Sequence, residues 1–335
     1  MVKTLRYVLK KPSVGMPREE DFQLLEENLP QIELGEFLCK AIYLSVDPYM
    51  RFFTSCVGST IVGTQVAKVI ESLNDQFPVG CHVIGDFGWR TYTIVNSLTE
   101  NLSPFCRPTY VLDELPNHPL SLYLGSLGLT GNTAYFGLTE ICQPKAGETI
   151  VVTGAAGAVG SHVGQIAKIK GCRVIGITGS KEKVDWLKTL GFDHVLNYNE
   201  TNNLNAALAE AAPYGIDCYF DNVGGEISSI IMKNMAQYGR VVVCGSISSY
   251  NTDSTNLPKA TLVQPLMLYK ELKLEAFLVS RFNDRWIEGI RQNLQWLDNG
   301  QLQFRETIYN GFESMPNAFI GLFKGENIGK TIIQI

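Results

Sequence analysis

Thr149-Ile150-Val151-Val152-Thr153-Gly154-Ala155-Ala156-Gly157-Ala158-Val159-Gly160 decides how this 335-residue chain is read. A short apolar run leads into a glycine-rich turn, and the turn leads straight into a helical spacing, Val159, Val163, Ile166 and Ala167. Strand, tight turn and helix N-terminus in that order are the context of a dinucleotide fingerprint. Gly157 lets the backbone approach a pyrophosphate, Gly160 allows close helix–strand packing, and the helix start offers free N–H groups and a favourable dipole. The pattern departs from G-x-G-x-x-G at Ala155, which stands where the first glycine would be. The plain alternative is a βα turn that binds nothing.

Around this junction the sequence predicts strands over 149–153, 172–178, 194–198, 216–220, 240–244 and 272–279. Most are near-continuous apolar runs, as expected when helices cover both faces of a parallel sheet. Helical stretches alternate with them; 183–190, for example, puts Val184 and Leu187 on one face. Repeated β-α units predict an α/β fold with a doubly wound, six-stranded parallel sheet over residues 126–302. Residues 1–125 differ, with short strands such as 37–44 and 66–72 and a turn over 74–80, which suggests a β-rich, barrel-like domain. Alternation returns over 304–309 and 329–335, with a helix expected over 312–323, so 303–335 is assigned to the first domain.

Composition bounds the function. With 28 Lys plus Arg, 33 Asp plus Glu and a net charge of −5, the chain has no basic face for nucleic acid. Its apolar runs are strand-sized, well short of the ~20 residues that cross a bilayer. Charges interrupt the N-terminus, so no apolar signal segment is read there. The cysteines, at 39, 56, 81, 106, 142, 172, 218 and 244, form no C-x-x-C and read as reduced thiols of a cytoplasmic protein.

An NAD site usually places Asp or Glu at the end of the second strand. Here that segment is Ile177-Thr178-Gly179-Ser180-Lys181-Glu182-Lys183. Gly179 and Ser180 leave room for a phosphate and Lys181 or Lys183 can neutralise it, which favours NADP(H). One of the two lysines is expected to be an ordinary solvated helix residue.

β-rich segments flanking a nucleotide fold, with Gly157-Ala158-Val159-Gly160 near mid-chain, resemble the medium-chain dehydrogenase/reductase superfamily. Its alcohol dehydrogenase branch holds a catalytic zinc through Cys and His near the N-terminus. The corresponding stretches here, Ser45-Val46-Asp47-Pro48-Tyr49-Met50-Arg51 and Gly63-Thr64-Gln65-Val66-Ala67, supply neither, and His82, His118, His162 and His194 have no ligand spacing. The expected site therefore has no metal ligands. Ala134-Tyr135-Phe136-Gly137-Leu138, Tyr198, Asp221-Asn222-Val223-Gly224-Gly225, Cys244-Gly245-Ser246-Ile247-Ser248-Ser249-Tyr250-Asn251 and Asn327-Ile328-Gly329-Lys330-Thr331 narrow the resemblance. They are similar to the zinc-free prostaglandin reductase/leukotriene B4 12-hydroxydehydrogenase branch, in the family's order from about residue 46 onward. Between Asn251 and Leu268 no family motif is found, and the 252–267 loop is expected to shape the pocket in its own way.

The resemblance implies NADPH-dependent reduction of the carbon–carbon double bond of α,β-unsaturated ketones and aldehydes, including 15-oxo-prostaglandins and lipid-derived enals. NADP-dependent oxidation of the leukotriene B4 12-hydroxyl is a further activity of the branch. It carries the cofactor contacts onto Gly157, Ala158, Val159, Gly160, Lys183, Tyr198, Asn222, the loop Cys244, Gly245, Ser246, Ile247, Ser248, Ser249 and Tyr250, then Phe277, Leu278, Val279 and Asn327. It also implies a homodimer joined through the nucleotide domains.

Conjugate reduction places hydride on the β-carbon and negative charge on the carbonyl oxygen, so the protein must supply a donor there. Tyr250 follows the fifth strand's carboxyl end and is the expected donor, neutral at pH 7. Tyr49 is the expected opposite wall, and Tyr269 is a further aromatic candidate for the pocket. Arg51 is expected either to pair with Asp47 or to contact the cofactor domain. Competing readings are an NADPH:quinone reductase, which needs the same cofactor and an open planar slot, and a non-catalytic NADPH-binding protein.

Overall fold

The computed structural model describes residues 2–54, 56–96, 108–252 and 260–335. Cys106 and the 253–259 part of the loop singled out above lie outside the described residues. The chain divides into two compact units, Met1–Gly125 with Glu306–Ile335, and Ser126–Arg305.

The second unit is built on six parallel strands: β1 (Thr149–Thr153), β2 (Arg173–Thr178), β3 (His194–Asn197), β4 (Ile216–Asp221), β5 (Met235–Val243) and β6 (Lys273–Ala276). Their order in the sheet is β3-β2-β1-β4-β5-β6. This is the Rossmann order, which reverses direction beside β1 and leaves its crevice at the carboxyl ends there. Ile150, Val151 and Val152 are fully buried because helices cover both faces. Helix Ala158–Ile169 packs Val163, Ile166 and Ala167 into the core on one face, and helix Leu204–Ala211 packs Leu208 on the other.

Two strands differ from expectation. β5 starts earlier, at Met235, because its first half carries exposed Gln237 and Tyr238, with Tyr238 at φ 63°, and so lacks an apolar run. β6 ends early, at Ala276, and is mostly exposed, because an outermost strand has a neighbour on one side only.

The first unit is β-rich. Strand Glu36–Val46 pairs with Gln65–Ser72, with Tyr92–Asn96 and with the closing strand Lys330–Gln334, all antiparallel. Lys330–Gln334 in turn lies parallel to Glu306–Asn310. The expected 312–323 helix begins as a 3-10 turn, Phe312–Ser314, and becomes an α-helix over Met315–Phe323, with proline in its first turn. Tyr7, Phe22, Trp89 and Phe319 form an aromatic core beneath this sheet.

Candidate active site

The glycine turn is shaped differently from the motif. Gly154 takes the left-handed conformation, φ 58°, one position before the expected glycine. Ala155 then needs no special backbone freedom; it is fully buried, and its N–H donates to Ile177 O at 3.2 Å. Gly160 meets its expected role, since a Cβ there would lie 2.4 Å from Gly154 O. Gly157 caps helix Ala158–Ile169 without any side-chain bond. The amides of Ala158, Val159 and Gly160 have no intrahelical acceptor, by the geometry of a helix start.

The other expected cofactor residues of this unit all follow carboxyl ends of strands. Asn222, just after β4, donates from Nδ2 to Thr153 O at 2.7 Å, which holds it against the glycine turn. Thr153 Oγ1 donates to Asp221 Oδ1 at 3.2 Å, and Asp221 Oδ1 also accepts the N–H groups of Val223 and Gly224. Beyond β5, Ile247 N–H donates to Asn222 O and Ser248 N–H to Val223 O, so the segment 244–250 lies across the end of β4. Cys244 is partly buried and burial pushes its thiol up to about 12, which leaves it protonated and unreactive. Phe277 is buried against Phe282 and Phe220, so its ring belongs to the core, whereas Leu278 beside it is exposed and Val279 is partly packed.

At the end of β2 the two lysines separate. Lys181 is exposed and pairs with Asp185 on its own helix at 3.2 Å. Lys183 is partly buried, and burial lowers its ammonium from the ordinary value while Glu182 opposes the shift. Gly179 has a second reason to be glycine: a Cβ there would come 2.4 Å from the Tyr198 hydroxyl, so that ring lies over it.

Tyr250 folds back onto its own turn. Ser246 N–H donates to its hydroxyl oxygen at 3.1 Å, and burial raises its pKa further above the physiological range. A hydroxyl that accepts an N–H keeps its proton to donate elsewhere and is polarised by the bond. Tyr269, by contrast, is 82% exposed on helix Val263–Lys270.

In the first unit, Tyr49 opens the short helix Met50–Phe53 and packs edge-on against Phe53. Asn327 donates to Gly329 O at 3.0 Å. Of the two expectations for Arg51, the pairing with Asp47 gives way to another arrangement. Arg51 donates to Ser13 O and Gly15 O, while Asp47 is held by Lys330 at 2.6 Å. Lys330 was missed as a site candidate. Its signal was present in the tail, as a lysine opening the otherwise apolar strand Lys330-Thr331-Ile332-Ile333.

The two ends of this architecture match known proteins along the whole chain. Family models match residues 5–102, the N-terminal domain of oxidoreductase, and residues 158–297, zinc-binding dehydrogenase. Prostaglandin reductase 1 of Bos taurus is 48% identical over 100% of both chains. The chain belongs to the prostaglandin reductase family of zinc-free medium-chain dehydrogenases/reductases. Within the wider family, the 2-alkenal reductase (NADP(+)-dependent) of Nicotiana tabacum is 38% identical over 100% of this chain and 98% of its own. The crystal structure of CurA in complex with NADPH from Vibrio vulnificus superposes with a TM-score of 0.90, at 38% identity and 98% coverage of each chain. Among the described residues, no three His, Cys, Asp or Glu side chains gather as a metal site.

Proposed function

We propose that the chain reduces the carbon–carbon double bond of α,β-unsaturated aldehydes and ketones with NADPH. Relatives named for reducing prostaglandins, 2-alkenals and curcumin support the reaction class, and a relative's NADPH complex supports the cofactor. The residues here fit NADP(H). The amides of Ala158, Val159 and Gly160 suit the pyrophosphate. The Gly179-Ser180 turn, free of carboxylate, and half-buried Lys183 suit the 2′-phosphate; Tyr198, Asn222, 244–250, 277–279 and Asn327 complete the assignment. In this reading the unit 126–305, three residues longer at its end than the sequence predicts, is the cofactor domain, and 1–125 with 306–335 is the substrate domain. Bound there, the dinucleotide supplies the hydride for the β-carbon.

The Ser246 N–H bond to the Tyr250 hydroxyl is the observation that carries the mechanism. It holds the hydroxyl beside the end of the fifth strand and polarises it; as donor to the substrate carbonyl oxygen it would stabilise enolate charge. Tyr49 walls the substrate, and water protonates the α-carbon. NADPH consumption across 2-alkenals, 15-oxo-prostaglandins, quinones and saturated ketones tests this. Turnover is expected on the first two; oxidation of NADPH by quinones alone, or binding without turnover, overturns it.

The proposal extends to NADP+-dependent oxidation of the leukotriene B4 12-hydroxyl, which the same cofactor assay run in reverse will test. It also includes a homodimer and a cytoplasmic location. The edge position of β6 among the described residues supports the dimer, with Leu274 in that strand, Leu278 just beyond it, and Leu262, Leu268 and Tyr269 exposed nearby in sequence. Eight cysteines at scattered spacings support the reducing compartment.

A further inference from the structure

We propose that Lys330 and Asp47 are positioning residues for the reduction. Their buried ion pair, completed by Ser45, fixes the Asp47-Pro48-Tyr49 turn that presents Tyr49. The inference rests on the reading of Tyr49 as a wall of the substrate site.

Lys330 opens the closing strand, whose next residue, Thr331, pairs with Val46 at the end of Glu36–Val46. Its Nζ donates to Val46 O at 2.9 Å and to Asp47 Oδ1 at 2.6 Å. Ser45 Oγ donates to the other carboxylate oxygen, Oδ2. Both oxygens of Asp47 are therefore held, from two different strands, and all three residues are buried. Glu306, the other acid whose field reaches Lys330, bonds instead to Ser121. The turn grows directly from this point: Met50 N–H donates to Asp47 O and Arg51 N–H to Pro48 O. On its far side, the Arg51 guanidinium bonds Ser13 O and Gly15 O. Tyr49 is thus carried on a turn clamped at both ends.

A pair of well-packed apolar side chains would give the fold as much stability as a buried ion pair. What apolar groups cannot do is direct hydrogen bonds at Val46 O and at both oxygens of Asp47. Direction is what a loop carrying a substrate contact requires, since misplacement by about 1 Å can lower turnover a hundredfold.

The test is the full-length double variant Asp47→Asn/Lys330→Met, beside Lys330→Met alone. The single variant leaves a buried carboxylate uncompensated and is expected to unfold at a lower temperature. The neutral double variant relieves that charge, so its kinetics report geometry. Its KM for a 2-alkenal is expected to rise about tenfold or more, with the NADPH dissociation constant unchanged. Hydrogen exchange at the Met50 and Arg51 amides should also accelerate. An unchanged alkenal KM in the folded double variant overturns the proposal. Should the wild-type protein turn over no enone, the functional reading fails by itself. The amide exchange then decides the anchoring, and unchanged exchange in the double variant overturns it.

Discussion

Tyr250 accepts an N–H from its own turn at its hydroxyl oxygen, and in the proposed mechanism its O–H is the donor to the enolate. Tyr250→Phe deletes that donor and leaves the ring in place. It is expected to lower kcat about a hundredfold or more, in line with the roughly 2.7–4 kcal/mol for a lost oxyanion donor, with NADPH affinity little changed. Steady-state kinetics with a fluorescence titration of NADPH will check it; turnover like the wild type removes Tyr250 from the mechanism. Glu306 makes a prediction about pH. Burial pushes its carboxyl above the ordinary value of 4.5, and one of its oxygens is buried without a hydrogen-bond partner. A carboxyl raised in the folded state binds its proton more tightly there than in the unfolded chain. Its stabilising effect is complete below about 4.5 and is lost as pH rises through the raised value. Denaturant titrations from pH 4 upward should show this slope, and Glu306→Gln should flatten it.

At the level of elements, the sequence named the parallel sheet because each βα unit repeats the same apolar run. It named the glycine turn because strand, glycine and helix period adjoin. It placed the positive φ poorly: Ala155 looked like a missing glycine, when Gly154 already makes the turn. The end of β6 was overrun because Phe277 and Leu278 extend an apolar run whose first ring enters the core while the next side chain faces solvent. The Arg51 and Asp47 partners were unreadable for a different reason. Residues four apart invite a local pairing, whereas the true partner, Lys330, lies 283 positions away and is fixed only by strand register. Gly160→Ala tests the turn itself. Its Cβ would fall 2.4 Å from a backbone oxygen, an overlap that no side-chain rotation relieves. Loss of about 1–3 kcal/mol of stability is expected, together with weakened NADPH binding, read by thermal melts and titration.

For the whole molecule, the side of β6 that has no strand partner among the described residues is the feature that a monomer would have to protect. Exposed strand edges with apolar side chains are templates for pairing. Leu274→Lys places a charge on that edge and is expected to shift the protein to monomer in sedimentation analysis, with the fold retained. A protein that is monomeric before the substitution would remove the dimer from the reading.

Helix Ala158–Ile169 has a second attachment away from its glycine turn. His162 is buried, and burial brings its pKa down to about 4, so the ring is neutral. Its Nδ1–H donates to Ala158 O, and Nε2 accepts from Ser126 Oγ at 2.9 Å. Gln165 bonds both the N–H and the C=O of Gln303. Residues three apart on a helix sit about 5–6 Å from each other, so the chain enters and leaves this unit at neighbouring points. A segment with adjoining ends has the anatomy of an inserted cassette. Residues 126–305 produced alone should melt cooperatively and still quench on titration with NADPH, which would make this half of the protein a portable module for grafting into other hosts.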